Sequence, residues 1–330
     1  MTRPPRFRCP RWLPAAALLL GLAGHSLAAD GDSVPLNGWP AAAMAAAALP
    51  SVGRVARGVL FIGLAAYAGL AAYLWLMQGR YVYYPTAEIE ATPADIGLAY
   101  DEVWLDPGDG GRVHAWWVPV QGDGRGCVLF CHGNGGNLSH RVEMLGLFHR
   151  LGYSVLVFDY RGYGRSPGRP SERNTYGDAT AAWEHLTGAR GHAPERVVLF
   201  GRSLGGAVAA WLAQGRAAGG LIVESAFTSI PDMGHELYPY LPVRLLSRFS
   251  YNTRDCVARA RCPVAVLHSP EDTMIGIRHG RAIFEAAPEP CRFIEIRGDH
   301  NEALDVGGAD YERQLGDALA WCLATSASRR

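Results

Sequence analysis

Leu199-Phe200-Gly201-Arg202-Ser203-Leu204-Gly205-Gly206-Ala207 decides the reading of this chain. The apolar run from Arg196 to Phe200 reads as a strand and ends in Gly-x-Ser-x-Gly. A run of small and apolar residues, Ala207 to Leu212, follows and reads as a helix. Strand, glycine-flanked serine and helix in that order build a sharp turn that holds a serine hydroxyl exposed in a strained pose. The helix start aims backbone N–H groups and a partial positive charge at the same place. With 40 glycines in 330 residues, the five-residue pattern alone is a weak signal, and the flanking strand and helix give it weight.

Strand and helix signals alternate on either side. Val128 to Cys131, Ser154 to Phe158, Leu221 to Val223, Val264 to Leu267 and Phe293 to Ile296 read as strands. Leu138 to Leu151, Tyr176 to Leu186, Ile277 to Ala286 and Tyr311 to Leu323 read as helices. Tyr100 to Leu105 and Arg112 to Val118 flank the turn cluster Pro107-Gly108-Asp109-Gly110-Gly111 and read as an opening antiparallel hairpin. This pattern predicts an α/β fold with a mostly parallel central sheet and helices on both faces. Ligands of such sheets bind outside the carboxyl ends of the strands.

Composition narrows the class. Charged residues make up 19% of the chain and the formal net charge is zero, so nothing marks a nucleic-acid binder. The seven cysteines form no paired Cys-x-x-Cys set, which argues against a zinc site. Cys127, Cys131 and Cys291 lie in or beside apolar runs and are expected to be small buried hydrophobes.

A serine hydroxyl needs a base and a group that orients the base. After Ser203, the strand ending Leu267-His268-Ser269-Pro270-Glu271-Asp272 offers Asp272 as the acid. The strand ending Arg297-Gly298-Asp299-His300 offers His300 as the base. Glu224, at the end of the strand after the serine, and Glu271 are the rival acids; chain order and strand-end placement favour Asp272. The oxyanion formed on attack calls for two backbone N–H donors, assigned to Leu204 and to Asn134 in the loop His132-Gly133-Asn134-Gly135-Gly136. That loop lacks the Gly-Lys-Ser/Thr of a phosphate loop, and His132 reads as structural. Asp159 to Ser166 also reads as structural, with Arg161 and its glycines shaping a turn near the site.

From about Gln78 to Leu323 the chain resembles the α/β-hydrolase superfamily. The motifs that carry this are His132-Gly133-Asn134-Gly135-Gly136-Asn137, Asp159-Tyr160-Arg161-Gly162-Tyr163-Gly164-Arg165-Ser166, Gly201 to Gly206, and the Asp272 and His300 loops. The branch it resembles most is that of serine aminopeptidase-type hydrolases, which includes membrane-associated protein depalmitoylases and N-terminally anchored bacterial hydrolases. Two departures stand out: His268-Ser269 where the family has His-Gly, and Asp299-His300 where it has Gly-His. The resemblance implies cleavage of acyl esters, thioesters or peptides through an acyl-enzyme, with no metal or organic cofactor. A serine peptidase and a non-catalytic binding protein on the same fold are the alternatives. Residues 227–260, with Tyr238, Tyr240, Leu241, Leu245, Leu246 and Phe249, stand where a short cap would be, or a helix packed on the sheet.

Two apolar segments precede this region. Arg3, Arg6, Arg8 and Arg11, then Leu13 to Gly24, then Ser26-Leu27-Ala28 follow the pattern of a signal peptide. Val59 to Met77 is 19 residues without a charge, against about 20 needed to span a bilayer. Tyr67, Tyr73, Trp75, Tyr81, Tyr83 and Tyr84 crowd its C-terminal boundary, and the bilayer becomes an expected partner. Arg54 and Arg57 before the span, against Arg80 after it, favour a catalytic domain outside the cytoplasm. A cleaved signal peptide would reverse that, and a start at Met44 would remove the conflict. Residues 30–57, rich in Ala, Gly and Pro, read as loop or poor helix. The expected division is a signal-like segment and linker over 1–58, a transmembrane helix over 59–77, and a hydrolase domain over 78–330.

Overall fold

The computed structural model describes residues 52–122 and 124–329. The signal-like segment and Met44 lie outside the described residues. Helix α1 (Val52–Val82) is 31 residues long, and its most apolar 18-residue window has a mean hydropathy of 2.0 with no residue buried. It begins six residues earlier than the loop expected up to residue 57, because Val52 to Gly58 continues the helix with no proline to stop it. Residues Val52–Leu70 belong to one compact unit, and Ala71 onward to another that contains the sheet.

The chain leaves α1 through a two-residue strand, β1 (Tyr84–Pro85), and then forms the hairpin β2 (Asp101–Leu105) and β3 (Val113–Val118). Strand β4 (Gly126–Cys131) runs into the glycine loop, whose β5 (Gly135–Gly136) pairs in parallel with β1. Next come α2 (Val142–Arg150), β6 (Tyr153–Phe158), α3 (Glu172–Glu184), β7 (Val197–Arg202), α4 (Leu204–Ala213) and β8 (Gly220–Glu224). Three short helices follow, α5 (Ile230–Leu237), α6 (Val243–Leu246) and α7 (Thr253–Val257). Strand β9 (Val264–His268), α8 (Ile277–Ala286), β10 (Cys291–Glu295) and α9 (Ala303–Ala327) complete the fold.

Eight strands form one sheet in the order β10-β9-β8-β7-β4-β6-β3-β2. All neighbours are parallel except β2 with β3 and β3 with β6. The alternation within β7 shows why the central strands carry no polar face. Val197 and Leu199 join the apolar cluster under α3, α4, α7 and α8, while Val198 and Phe200 join the one under α2 and α9. The expected architecture is therefore observed.

Local differences have local causes. The first turn expected of α2 is a 3-10 turn, Leu138–Arg141, because the Asn137 side chain accepts from Ser139 N and tightens it. Helix α3 starts at Glu172, four residues before the expected Tyr176, because Ser171 Oγ accepts from Asn174 N and caps it. Helix α9 starts at Ala303 rather than Tyr311. Gly308, at φ 49° and ψ −126°, kinks the helix without ending it. Cys127 and Cys131 are buried in β4 as expected, whereas Cys291 on the edge strand β10 is half-buried.

Candidate active site

Ser203 stands between β7 and α4 at φ 54° and ψ −120°, a conformation disfavoured for any residue with a Cβ. The glycines on either side make the turn possible. A Cβ on Gly201 would lie 2.2 Å from the Gly205 carbonyl oxygen, and one on Gly205 would lie 1.9 Å from that of Cys131. The first turn of α4 is thereby pressed onto the end of β4.

Three loops from the carboxyl ends of β7, β9 and β10 meet here. His300 Nε2 is 3.1 Å from Ser203 Oγ, and His300 Nδ1 is 2.8 Å from Asp272 Oδ2. The other Asp272 oxygen accepts from Met274 N at 3.0 Å and Ile275 N at 2.7 Å. A carboxylate only accepts, so Nδ1 carries the hydrogen and Nε2 is left to accept from the serine. All three side chains are nearly buried, Ser203 being 9% exposed.

The rival carboxylates point elsewhere. Glu224, fully buried at the end of β8, accepts from the Tyr311 hydroxyl at 2.6 Å and pairs with Arg202 Nε at 3.2 Å. Arg202 in turn donates to the His300 carbonyl at 2.8 Å. Glu271 accepts from Gly298 N at 2.8 Å. Asp299 accepts from Thr273 N, the Thr273 hydroxyl and His300 N. Burial raises the pKa of that carboxyl, but these hydrogen bonds outweigh it and hold the group below its ordinary value. Glu271 and Asp299 thus lace the acid loop to the histidine loop.

His268, just before the departure at Ser269, is fully buried beneath Asp272. It donates from Nε2 to the Ile275 carbonyl at 2.7 Å and lies 3.6 Å from Asp272 Oδ2. Burial pushes its pKa down, so it supports the acid loop as a neutral ring.

Leu204 opens α4, so its N–H has no acceptor within the helix. Opposite it, the glycine loop comes close to the serine: a Cβ on Gly133 would be 3.6 Å from Ser203 Cβ. Asn134 is held by its other groups. Its carbonyl accepts from Tyr84 N at 3.0 Å and the Tyr163 hydroxyl at 2.8 Å, and its side chain donates to the Val82 carbonyl at 3.1 Å. Its backbone N–H enters none of these bonds. Tyr160 OH donates to the His132 carbonyl, so the Asp159–Ser166 turn shapes this loop from below. His132 is buried and its pKa is pushed down by that burial.

Sequence reasoning did not find the strap formed by the chain leaving α1. Val82 to Glu88 is sewn to the glycine loop through Asn134 and through Asn137, whose side chain donates to the Thr86 and Glu88 carbonyls. Arg202, Glu224 and Tyr311 as a group were also not legible, since only the folded sheet brings them together. Among the described residues no group of three or more His, Cys, Asp or Glu could hold a metal ion.

A family model described as serine aminopeptidase, S33, matches residues 122–254. An uncharacterized protein of Mycobacterium tuberculosis is 38% identical over 237 residues, covering 71% of this chain and 84% of that protein. The alpha/beta hydrolase domain-containing protein WAV2 of Arabidopsis thaliana is 36% identical over 278 residues, covering 77% and 89%. Among solved structures, an esterase of Pyrococcus furiosus superposes with a TM-score of 0.60 at 18% identity, covering 73% of this chain and 98% of that one.

Proposed function

The chain belongs to the α/β-hydrolase superfamily, and from that premise we propose that it is a membrane-anchored serine hydrolase that cleaves ester or thioester bonds through an acyl-enzyme. The observation that carries this reading is the continuous series Asp272–His300–Ser203, at 2.8 and 3.1 Å, ending on a serine held in a strained turn.

In this reading Ser203 Oγ attacks the acyl carbonyl and its proton passes to His300 Nε2. The carbonyl oxygen becomes an oxyanion that accepts from Leu204 N–H and Asn134 N–H. Asp272 keeps the hydrogen on Nδ1 and faces the imidazolium that forms. The tetrahedral centre collapses, the bond to the leaving oxygen or sulfur breaks, and His300 returns its proton to that atom. Water then repeats the sequence on the acyl-serine and releases the carboxylic acid. Val59 to Met77 is the bilayer span, residues 78–330 the catalytic domain and 227–260 its cap. The excess of Arg54 and Arg57 over Arg80 supports a domain outside the cytoplasm.

The description of the matching family model as serine aminopeptidase keeps a peptidase as the second reading. Turnover of acyl esters of graded length, acyl thioesters and aminoacyl amides separates the two. Ser203→Ala abolishes labelling by a serine-directed fluorophosphonate while the fold is retained, because only a hydroxyl is lost. Labelling of that variant at the wild-type level overturns the assignment.

A further inference from the structure

The cap is tied to the end of α1 at one residue. Gln78 directly follows the uncharged run that ends at Met77. Its side-chain amide donates to the Leu246 carbonyl at 2.7 Å and accepts from Arg248 N at 2.7 Å. This two-way amide clamp fixes residues 246–248 to the helix. The Arg248 guanidinium lies 4.9 Å from the centre of the Trp75 ring, one turn back along the same helix. Behind the clamp, Phe249 packs edge-on against Tyr83, whose hydroxyl meets that of the buried Tyr251 at 2.7 Å.

What the clamp presents outward is apolar and basic. Leu245 is 83% exposed, Tyr240 63% and Leu237 47%. A leucine so exposed, one residue from the backbone held by Gln78, stands at the level where the hydrocarbon run stops. Arg244 and Arg248 flank it in sequence and are exposed, Arg244 sharing its charge with Asp232 at 3.3 Å, and Arg80, two residues after Gln78, is exposed as well. Aromatic, leucine and arginine side chains in one band are the chemistry of an anionic lipid surface.

The distance to the site is short. From Gln78 to Val82 the helix rises about 6 Å, and the extended residues Tyr83 and Tyr84 add about 7 Å. Tyr84 is already bonded to Asn134 of the oxyanion loop. Tyr84 therefore lies at most ~13 Å along the chain from the end of the span, and the loop about 5 Å beyond it across one strand spacing, against a headgroup layer of about 5–8 Å per leaflet. An acyl ester whose chain stays in the bilayer needs to rise by at most about 10–13 Å, within the length of a long acyl chain.

We propose that the cap segment from Leu237 to Arg248 docks on the bilayer, Tyr240 and Leu245 entering the interface and Arg244 and Arg248 meeting anionic headgroups, so that Ser203 takes acyl esters embedded in the membrane. The proposal rests on the anchored-hydrolase reading and names its substrate class.

The test uses the full chain in vesicles of phosphatidylcholine, with and without phosphatidylglycerol. A water-soluble acetyl ester and a vesicle-embedded long-chain acyl ester are compared. The double variant Tyr240→Glu, Leu245→Glu loses about tenfold or more turnover on the embedded ester, the scale set by failing to bury a leucine-sized side chain, and keeps that on the acetyl ester. Equal loss on both esters, or loss on neither, overturns the proposal. A fluorophore on Leu245→Cys in a Cys9→Ser, Cys291→Ser background reports depth independently. Quenching by spin-labelled lipid supports docking, and its absence overturns it. If the folded wild-type chain turns over neither ester, the hydrolase reading fails, while the quenching result still decides the docking.

Discussion

Replacing Asp272 by asparagine tests the arrangement at its most informative atom. The two Asp272 oxygens have different partners: Oδ1 takes the amides of Met274 and Ile275, and Oδ2 faces His300 Nδ1. In Asp272→Asn the amide oxygen stays with the two backbone N–H groups, because an NH₂ there would oppose two donors. The NH₂ then faces His300 and donates to Nδ1. That drives the ring hydrogen onto Nε2, so the nitrogen facing Ser203 has no lone pair to take its proton. The same change of tautomer costs about 10⁴ in kcat in a serine protease, or roughly 5.5 kcal/mol. The fold is kept, since both backbone bonds survive. The assay is kcat on a short acyl ester, with a thermal melt run alongside. Glu224→Gln costs far less, because Glu224 reaches His300 only through Arg202 and a backbone carbonyl. Near-wild-type turnover in Asp272→Asn beside a dead Glu224→Gln would refute the reasoning and move the acid to β8.

Other outcomes follow from the same geometry. The full chain resists extraction from membranes by carbonate, and its release by carbonate alone would remove the span. A chain beginning at Gln78 is soluble and turns over a short ester. One beginning at Pro85 lacks buried Val82 and Tyr83 and the Tyr84 bond to Asn134, and its kcat falls about tenfold or more, since loss of one oxyanion donor costs 10²–10³; equal kcat for the two would show the strap to be idle. Burial holds His132 and His268 neutral below the ordinary histidine value. The unfolded chain therefore binds more protons below about pH 6.5. Stability present above that pH is lost as it falls, by up to about 1.4 kcal/mol per pH unit for each ring. Urea midpoints followed downward in pH show the loss, and His268→Gln flattens it; an unchanged slope contradicts the assignment.

How much of this was legible in sequence depended on whether the signal was local. The serine turn is visible because strand, glycines and helix are contiguous, and the mostly parallel sheet because buried parallel strands read as unbroken apolar runs. Asp272 and His300 follow from chain order, and the structure brings both to Ser203. The support around them is not local. Arg202 occupies a variable place in its motif, Glu224 looked like a rival acid, and Tyr311 began a helix; only the register Arg202 opposite Glu224 makes them a set. The strap was hidden for a different reason. Tyr83 and Tyr84 read as interfacial aromatics of the span, a role that fits their composition equally well. Nothing in the spacing reveals that Tyr84 pairs with Gly135.

That pairing of β1 with β5 makes the tether and the oxyanion loop one hydrogen-bonded object. In many tethered proteins a stalk can be cut to release a working domain. Here, on the anchored reading proposed above, removing the chain before Pro85 takes away the backbone donor of the Asn134 carbonyl, Tyr84 N. On that reading, the same few residues that join the domain to the span also brace the loop beside Ser203.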